Sequence, residues 1–301
     1  MERARLIATL KVSLAVIAWG ASFITTKVAL RDVSPTTVVW LRFAIGVIIL
    51  GGAVVARRQL APVTLREGGY FALLGFIGIT FHQWLQSNGL VTAQATTTAW
   101  IVASTPVFIA LLGWLTLKEK LGRTQVGGIA LAALGVLLVV SKGNLSTLAA
   151  GSFGAPGDFL ILASAPNWAL FSALSRRGLG RYPAALMMFY VMTAGWLFTS
   201  VLFFAGPGLA EVSRLTTAGW LGIGFLGIFC SGLAYIFWYD ALQIIPASQL
   251  GVFLYVEPLV AVAVAAIVLS EPITAAALLG GATILFGVWL VNRVGEIDTA
   301  T

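Results

Sequence analysis

Charged residues are scarce in this chain. Of its 301 residues, 10% are Asp, Glu, Lys or Arg, 59% are hydrophobic, and the mean hydropathy is +0.98. Soluble domains carry roughly 25% charged residues, and so little charge cannot cover the surface of a soluble protein of this length. The scarcity of charge therefore predicts that lipid surrounds most of the chain and that it is an all-α polytopic membrane protein.

Histidine and cysteine each occur once, as His82 and Cys230. A single histidine excludes the paired metal ligands of an H-E-x-x-H metalloprotease, and a single cysteine excludes an internal disulfide. The chain also lacks a P-loop, a cluster of aspartates for a polyprenyl-phosphate enzyme and the charged rings of a channel filter. We therefore expect a secondary carrier that is not an enzyme and holds no cofactor or metal. An intramembrane enzyme is the less favoured alternative.

Ten stretches are apolar enough to cross the membrane as helices of about 20 residues. They are residues 8–29, 35–56, 68–88, 95–117, 124–141, 157–176, 183–205, 216–239, 246–269 and 274–292. The uncharged run Gly68–Leu117 is too long for one helix and is predicted to break at Asn88–Gly89 and within Thr92–Thr98. Four prolines lie at predicted helix starts, where a missing N–H costs nothing: Pro35, Pro156, Pro183 and Pro246.

The basic residues between these stretches predict the orientation in the membrane. With the N-terminus inside, 13 Lys and Arg residues fall on the cytoplasmic side and three, Arg31, Lys142 and Arg214, fall on the other. Both termini are therefore predicted to be cytoplasmic, in a multi-pass membrane protein. The net charge is +7, but the basic residues lie between the apolar stretches, as the positive-inside rule expects. No nucleic-acid partner is therefore expected.

The second half of the chain repeats the first. Pro106–Gly135 aligns with Pro258–Gly287 at a constant offset of 152 residues, and Glu119 aligns with Glu271. These two glutamates are expected to cap the second helix of each hairpin or to pair across a loop. Because each half holds five predicted spans, an odd number, the halves must cross the membrane in opposite directions. The prediction is ten transmembrane helices in two inverted five-helix repeats, residues 1–143 and 144–301.

The stretch Trp19–Gly46, WGASFITTKVALRDVSPTTVVWLRFAIG, resembles the opening of EamA-type members of the drug/metabolite transporter superfamily. Its marks are Trp-Gly in the first span, Lys at its end, Pro after the turn and Leu-Arg-Phe in the second span. The Pro…Leu-x-Glu…Gly…Gly unit that closes each half is the same family's other mark. The resemblance implies ten helices around a central cavity, alternating access and small-molecule export. Within the family the chain is most similar to bacterial exporters of amino acids, especially aromatic ones.

Two polar residues of the third predicted span share one helical stripe, His82 and Gln86. Polar groups inside a membrane face the protein interior or a watery cavity. One interpretation is that both side chains bind the amino or carboxylate group of a substrate. The other is that they tie this helix to its neighbour.

Charged residues inside the other spans are candidates for gating or coupling. Glu257 precedes Pro258 in the ninth span, and Lys27 and Arg42 lie near the predicted outer ends of the first two. Glu257 is expected to be protonated or paired with Arg42 or Lys27, or to lock helix packing. Lys27 could instead reach the interface, whereas Arg42 is deep enough to need a buried partner.

Aromatic and amide side chains near the middle of the spans predict the wall of a substrate cavity. The candidates are Trp19, Phe23, Trp100, Trp168, Tyr235, Tyr239, Gln249 and Phe253. For each ring, simple core packing is the alternative. Together with the resemblance, these residues favour export of amino acids or similar metabolites, with aromatic and apolar amino acids preferred. A broad-specificity carrier for lipophilic compounds is the alternative, and protons are a candidate coupling ion.

Overall fold

A computed structural model describes residues 2–117, 121–144, 154–245 and 247–297, with the main chain alone for 117, 247–248 and 293–297. All the regular structure in these ranges is helical. Helices are expected here because a helix satisfies its own backbone hydrogen bonds in lipid. Glu119 and Pro246 were singled out from the sequence and lie outside the described residues.

The first half contains seven α-helices and one π-helical segment within the described ranges. They are α1 (Glu2–Ala29), α2 (Pro35–Ala56), α3 (Leu65–Gly75), π1 (Phe76–Phe81), α4 (His82–Thr92), α5 (Ala95–Ala103), α6 (Thr105–Leu117) and α7 (Arg123–Val140). The segments α3, π1 and α4 follow one another without a break.

The described part of the second half follows the same plan. It contains α8 (Pro156–Leu179), α9 (Ala184–Ala205), the short α10 (Gly208–Val212), α11 (Thr217–Phe225), π2 (Leu226–Leu233), α12 (Ala234–Leu242), α13 (Ala247–Phe253), α14 (Val256–Val268) and α15 (Ala275–Ile297). The stretch α11–π2–α12 is continuous and corresponds to α3–π1–α4.

Eight helical stretches in the described ranges are long and apolar enough to cross a membrane. They are Glu2–Ala29, Pro35–Ala56, Ala95–Thr116, Arg123–Val140, Ala184–Ala205, Thr217–Leu242, Gln249–Val268 and Ala275–Asn292. The predicted spans 68–88 and 157–176 are also helical, but they are not among the eight. Their polar residues, such as His82, Gln86, Asp158 and Asn167, lower their hydropathy. The count of ten spans therefore stays a prediction.

Two details of the predicted helix boundaries change. The break expected at Asn88–Gly89 is wrong, because both residues lie within α4. Gly89 instead allows α8 to approach closely, since a methyl group there would lie 2.6 Å from Cδ1 of Ile161. The chain breaks at Ala93–Gln94, inside the polar stretch that was predicted to separate the helices.

The prolines act largely as predicted. Pro35 and Pro156 begin helices α2 and α8, whereas Pro183 lies one residue before α9 begins. Two breaks were not predicted: Ser104 separates α5 from α6, and Leu254–Tyr255 separates α13 from α14. The second of these breaks, four residues before Pro258, divides the predicted span 246–269.

The helix boundaries repeat along the chain. Helices α2 and α9 both begin and end 149 residues apart, and the starts of α5 and α13, and of α7 and α15, lie 152 residues apart. The segments π1 and π2 also occupy corresponding places. The internal similarity therefore extends from residues to local structure.

Corresponding helices pack against each other in antiparallel directions. A methyl group at Gly128 of α7 would lie 2.6 Å from the carbonyl oxygen of Gly287 in α15. One at Gly135, two turns on, would lie 2.7 Å from the carbonyl oxygen of Gly280, two turns back. The four glycines are the ones that align in the repeat, and they let the two backbones touch.

The periphery is apolar and the ends of the helices are polar. Ile267, Ile48 and Leu221 are 81%, 73% and 71% exposed, which suits a surface that meets lipid. At one end, Asp240 of α12 forms ion pairs with Lys11 of α1 and with Arg57, just after α2, each at 2.6 Å. These ion pairs connect the two halves of the chain.

At the other end, three acidic side chains join the halves. Asp32 accepts hydrogen bonds from the N–H and hydroxyl of Thr216, at 2.9 and 2.7 Å. Glu211, which is 8% exposed, accepts from the hydroxyls of Ser34 and Thr37, at 2.7 and 2.6 Å. The third, Glu271, is described next.

Glu271 has a different partner from the one predicted. Its carboxylate accepts from the backbone N–H groups of Ala95 and Thr96, at 2.8 and 2.9 Å, and so caps α5 in the other half of the chain. Its own hairpin uses Thr274, whose hydroxyl accepts from Ala277 N–H at 3.1 Å. A carboxylate at a helix N-terminus is stabilising, but here it also connects the halves.

Candidate functional site

The two π-helical segments occupy corresponding places in the repeat, and each is bound by a residue of the other half. Trp19 of α1 donates its Nε1–H to the carbonyl oxygen of Cys230 in π2, at 3.1 Å. Asn167 of α8 donates its Nδ2–H to the carbonyl oxygen of Ile77 in π1, at 2.9 Å. The wider turn of a π-helix can leave carbonyl groups free for such contacts, and π-helical turns are frequent at functional sites.

His82 follows π1 directly and is 6% exposed. Its ring centroid lies 4.8 Å from that of Trp168 in α8, and Trp168 lies 4.9 Å from Phe171. The Nδ1 atom of His82 has no hydrogen-bond partner among the described residues. A buried polar atom without a partner is costly, so this nitrogen is available for a ligand.

Gln86 lies one turn after His82, as the sequence predicted, and is partly buried. Arg42 of α2 is 7% exposed and reaches towards the same helix. Its Nη1 donates to Oε1 of Gln83 at 3.3 Å, and its Nε donates to Oγ of Ser231 in π2 at 3.1 Å. Gln83 directly follows His82 in α4, so Arg42 reaches the helical turn that carries His82.

The predicted buried partner of Arg42 exists, but it is neutral. Ser231, Gln83 and the face of the Phe43 ring, 5.0 Å away, surround the guanidinium. No carboxylate of the described residues lies within 4 Å of it. A buried, uncompensated guanidinium is a strong attraction for a carboxylate ligand.

A wall of aromatic rings continues from this point. Tyr235 and Tyr239 share one face of the helix, with ring centroids 6.5 Å apart, as their spacing predicted. Trp19 packs edge-on against Tyr235 at 5.6 Å and against Trp238 at 5.4 Å. Both tyrosines and Trp19 are partly buried, and Tyr235 lies close enough to Arg42 to interact electrostatically.

Glu257 is the second residue of α14 and is partly buried. The predicted pairing with Arg42 or Lys27 is not observed, since within the described ranges its carboxylate forms no ion pair. Lys27 instead donates to the carbonyl oxygen of Ala93 at the break before α5. Pro258 lies in the first turn of α14, where its missing N–H leaves no hydrogen bond unmade.

Four predicted residues lie apart from this group. Phe23 and Trp100 are buried in a separate core, where Trp100 packs against Gly281. Phe253 packs against a third cluster, which includes Val12 and Leu250. Gln249 is exposed and accepts a hydrogen bond from Arg5 at 3.0 Å.

Three residues of the site were not singled out from the sequence: Gln83, Ser231 and Asn167. A signal was available, because polar side chains inside apolar spans are expected to face the interior. Ser231 also occupies the position that corresponds to His82 in the repeat, at an offset of 149.

Comparison with known proteins assigns the family. The EamA-like transporter family matches this chain twice, at residues 6–141 and 155–293. The chain belongs to the EamA-like transporter family. As a member it is a multi-pass membrane transporter, and the resemblance of Trp19–Gly46 to this family is confirmed.

Curated relatives cover nearly the full chain. A transporter of Archaeoglobus fulgidus, described as uncharacterized, is 27% identical over 94% of this chain and 96% of its own length. The uncharacterized transporter YyaM of Bacillus subtilis is 27% identical over 92% of this chain and 91% of its own. A probable terminal-alkyne amino-acid exporter of Streptantibioticus cattleyicolor is 28% identical over 93% of this chain and 91% of its own.

A solved crystal structure has a similar fold. It superposes with a TM-score of 0.65 and covers 98% of both chains, at 22% sequence identity. At this identity the likeness concerns the fold of the EamA-like transporter and leaves its substrate open.

Proposed function

We propose that this EamA-like transporter exports amino acids from the cytoplasm across the bacterial inner membrane and prefers aromatic and apolar ones. The observation that carries the proposal is the buried guanidinium of Arg42. It has neutral partners and bonds to Gln83, the residue after His82, whose Nδ1 has no hydrogen-bond partner among the described residues. Such a site favours a carboxylate at one end. The name of the Streptantibioticus cattleyicolor relative, a probable amino-acid exporter, agrees with this substrate class.

The substrate would bind between the guanidinium and the aromatic wall. Its carboxylate would receive hydrogen bonds from Arg42, which Ser231 and Gln83 hold in place. Its side chain would pack against Trp168 and Tyr235, because flat rings offer a large apolar contact at low entropy cost. Gln86 and His82 would bind the remaining polar atoms.

Transport would follow alternating access between two halves, residues 1–143 and 144–301. We propose that these halves are inverted repeats of five spans each, with both termini in the cytoplasm. The antiparallel contact between α7 and α15 supports this arrangement, because these helices occupy corresponding places in the two halves. The helix breaks before α6 and α14 provide places for hinge movement.

Glu257 is the proposed coupling group. The proposed gating residues are Lys27, which bonds to the break before α5, and Pro258, which follows the break before α14. A carboxylate without an ion-pair partner can exchange a proton when the site opens. If protons are coupled, a pH gradient should speed export in wild type and should not do so in Glu257→Gln. An equal response of both proteins to the gradient would remove this role from Glu257.

The function is tested by counterflow in proteoliposomes with a panel of labelled amino acids. Saturable exchange of phenylalanine or tryptophan, and weaker exchange in His82→Ala or Trp168→Ala, is the expected result. Trp84→Ala is the matched control, because Trp84 follows His82 on α4 but is 42% exposed. Transport of cationic dyes without amino-acid exchange would favour the broad lipophilic carrier, and normal exchange by both cavity variants would contradict the site.

A further inference from the structure

A cavity lies at the ends of α4, α5, α7 and α8, with a volume of about 360 Å³. The described residues that line it include Thr92, Gln94, Thr97, Ser141, Lys142 and Asp158. None of them belongs to the site around Arg42. Thr92 is ten residues after His82 on α4, or about 15 Å away at 1.5 Å per residue.

Asp158 is the most unusual residue of this cavity. Its side chain is 4% exposed, and its Oδ2 accepts a hydrogen bond from the N–H of Ala155 at 2.8 Å. Its Oδ1 is buried and has no hydrogen-bond partner among the described residues. A buried carboxylate oxygen without a donor is costly, so the cavity presents an unfilled acceptor.

Lys142 provides a positive charge on the same cavity. It follows α7 in a left-handed backbone conformation, with φ of 53°, and its side chain is exposed. Its charge acts on Asp158, yet the two side chains lie more than 4 Å apart. Lys27, whose charge also acts on Asp158, is already bound to the carbonyl oxygen of Ala93.

We propose that this cavity binds the zwitterionic head of an α-amino acid, with the ammonium on Asp158 and the carboxylate on Lys142. The inference rests on the proposed function for the substrate class, and it adds a second binding site at the end predicted to face outward. A volume of about 360 Å³ falls within the roughly 300–1,000 Å³ of small-molecule sites. The amide of Gln94 and the hydroxyl of Thr97 offer further polar contacts at its wall.

A zwitterion fits these groups better than a metal ion does. Hard metal cations take several oxygen ligands at short distance, whereas this cavity has one carboxylate in its described lining, and the Lys142 ammonium would repel a cation. A free amino acid brings both charges, so each would meet its opposite.

The test measures equilibrium binding to the full-length protein in nanodiscs. Three probes separate the two charges: L-phenylalanine, 2-phenylethylamine, which lacks the carboxylate, and 3-phenylpropionate, which lacks the ammonium. Wild type should bind two molecules of L-phenylalanine. Asp158→Asn, which keeps an acceptor for the N–H of Ala155, should lose about tenfold in affinity at one site for phenylalanine and phenylethylamine but not for phenylpropionate.

Lys142→Gln should show the complementary pattern, with weaker binding of phenylalanine and phenylpropionate and unchanged binding of phenylethylamine. Asp32→Asn is the matched control. Its carboxylate also binds the first turn of a helix at the same end of the molecule, but Thr216 already provides it with two hydrogen bonds. Asp32→Asn should therefore bind all three probes as wild type does.

Two results would overturn the proposal: phenylalanine binding to wild type that Asp158→Asn leaves unchanged, or an Asp158→Asn effect that is the same with all three probes. Sodium binding that depends on Asp158, without an effect on phenylethylamine, would also overturn it. Failure of this site is distinguishable from failure of the proposed function. If Arg42→Gln alone removes phenylalanine binding, the central site stands and the second site does not; if wild type binds no amino acid, both fail.

Discussion

The two halves of this transporter share a backbone plan but not its chemistry. At an offset of 149 residues, Arg42 corresponds to Val191 and His82 to Ser231. Val191 is fully buried in an apolar cluster, whereas Arg42 crosses to the other half and binds Ser231. Arg42 and His82 therefore come from the first half, and the second half has neutral residues at the corresponding positions, one of which, Ser231, binds Arg42.

Other corresponding positions have the same residue in both halves and make similar contacts. Trp19 and Trp168 correspond in the repeat, and each lies on the wall of the central site. Gly128 and Gly280, which correspond at an offset of 152, make the same kind of backbone contact. Helix packing is therefore alike in the two halves, whereas the polar residues of the proposed binding site differ between them.

The largest effect on amino-acid exchange is expected for Arg42→Val, which introduces the residue found at the corresponding position of the second half, Val191. This change removes the buried positive charge and leaves Ser231 and Gln83 without their donor. Hydrogen bonds to a charged group contribute about 1.5–3 kcal/mol, so exchange should fall about 10- to 100-fold. Counterflow of labelled phenylalanine measures it, with Arg31→Val on the exposed turn as the control.

A symmetric pair of variants tests the packing. Gly128→Val and Gly280→Val would each force a side chain against the opposite backbone, and each should lower the free energy of unfolding by about 1–3 kcal/mol. Gly127→Val is the control, because a side chain there meets nothing within 4 Å. Thermal unfolding in detergent checks the result, and a marked difference between the first two variants would break the symmetry argument.

His82→Ser tests the difference in polar residues between the two halves, because it introduces the residue found at the corresponding position, Ser231. The loss of one neutral hydrogen bond, worth about 1 kcal/mol, should raise the half-saturating concentration of phenylalanine about fivefold. The maximal rate should change less. Ser231→Ala should have an effect in the same direction, because Ser231 holds Arg42; a neutral result in both would contradict the placement of the site.

The smallest effect concerns Glu211, outside the membrane-spanning helices. Burial alone would raise the pKa of its carboxyl, but the hydrogen bonds from Thr37 and Ser34 outweigh burial and lower the pKa. A lowered pKa in the folded protein gives stability that is present above the unfolded pKa and is lost as the pH falls through the folded pKa.

Glu211→Gln should therefore cost about 1 kcal/mol of unfolding free energy at neutral pH, and the difference from wild type should shrink as the solution is acidified. Thermal unfolding at a series of pH values measures both, with Glu2→Gln as an exposed control. A difference that grows on acidification would show that the sign is wrong.

Much of the fold could be predicted from the sequence. Apolar runs, prolines at helix starts and the 149- and 152-residue offsets predicted helices whose boundaries largely agree with the structure. The break at Asn88–Gly89 was wrong because a glycine inside a membrane helix can serve packing: Gly89 receives Ile161. Local propensity does not distinguish such a contact from a turn.

The site could be predicted in part. The ring of His82 lies against that of Trp168, and Arg42 reaches Ser231, one turn before Tyr235. That these residues form a binding site with Gln86 stays a prediction. Gln249 and Phe253 do not join them, since one bonds to Arg5 at an exposed end and the other packs in a separate cluster. Helical spacing indicates which residues share a face, but not which neighbour that face meets.

Hydropathy and periodicity are local properties of a chain, so the sequence is enough to predict helices, a lipid environment and an internal repeat. Only the folded structure shows which residues become partners: Ser231 for Arg42, and Ala95 and Thr96 for Glu271. It also shows that one carboxylate oxygen of Asp158 has no donor among the described residues. These pairings join residues more than 170 positions apart or depend on the closure of a cavity. They follow from how two similar halves pack together, which no stretch of the sequence specifies on its own.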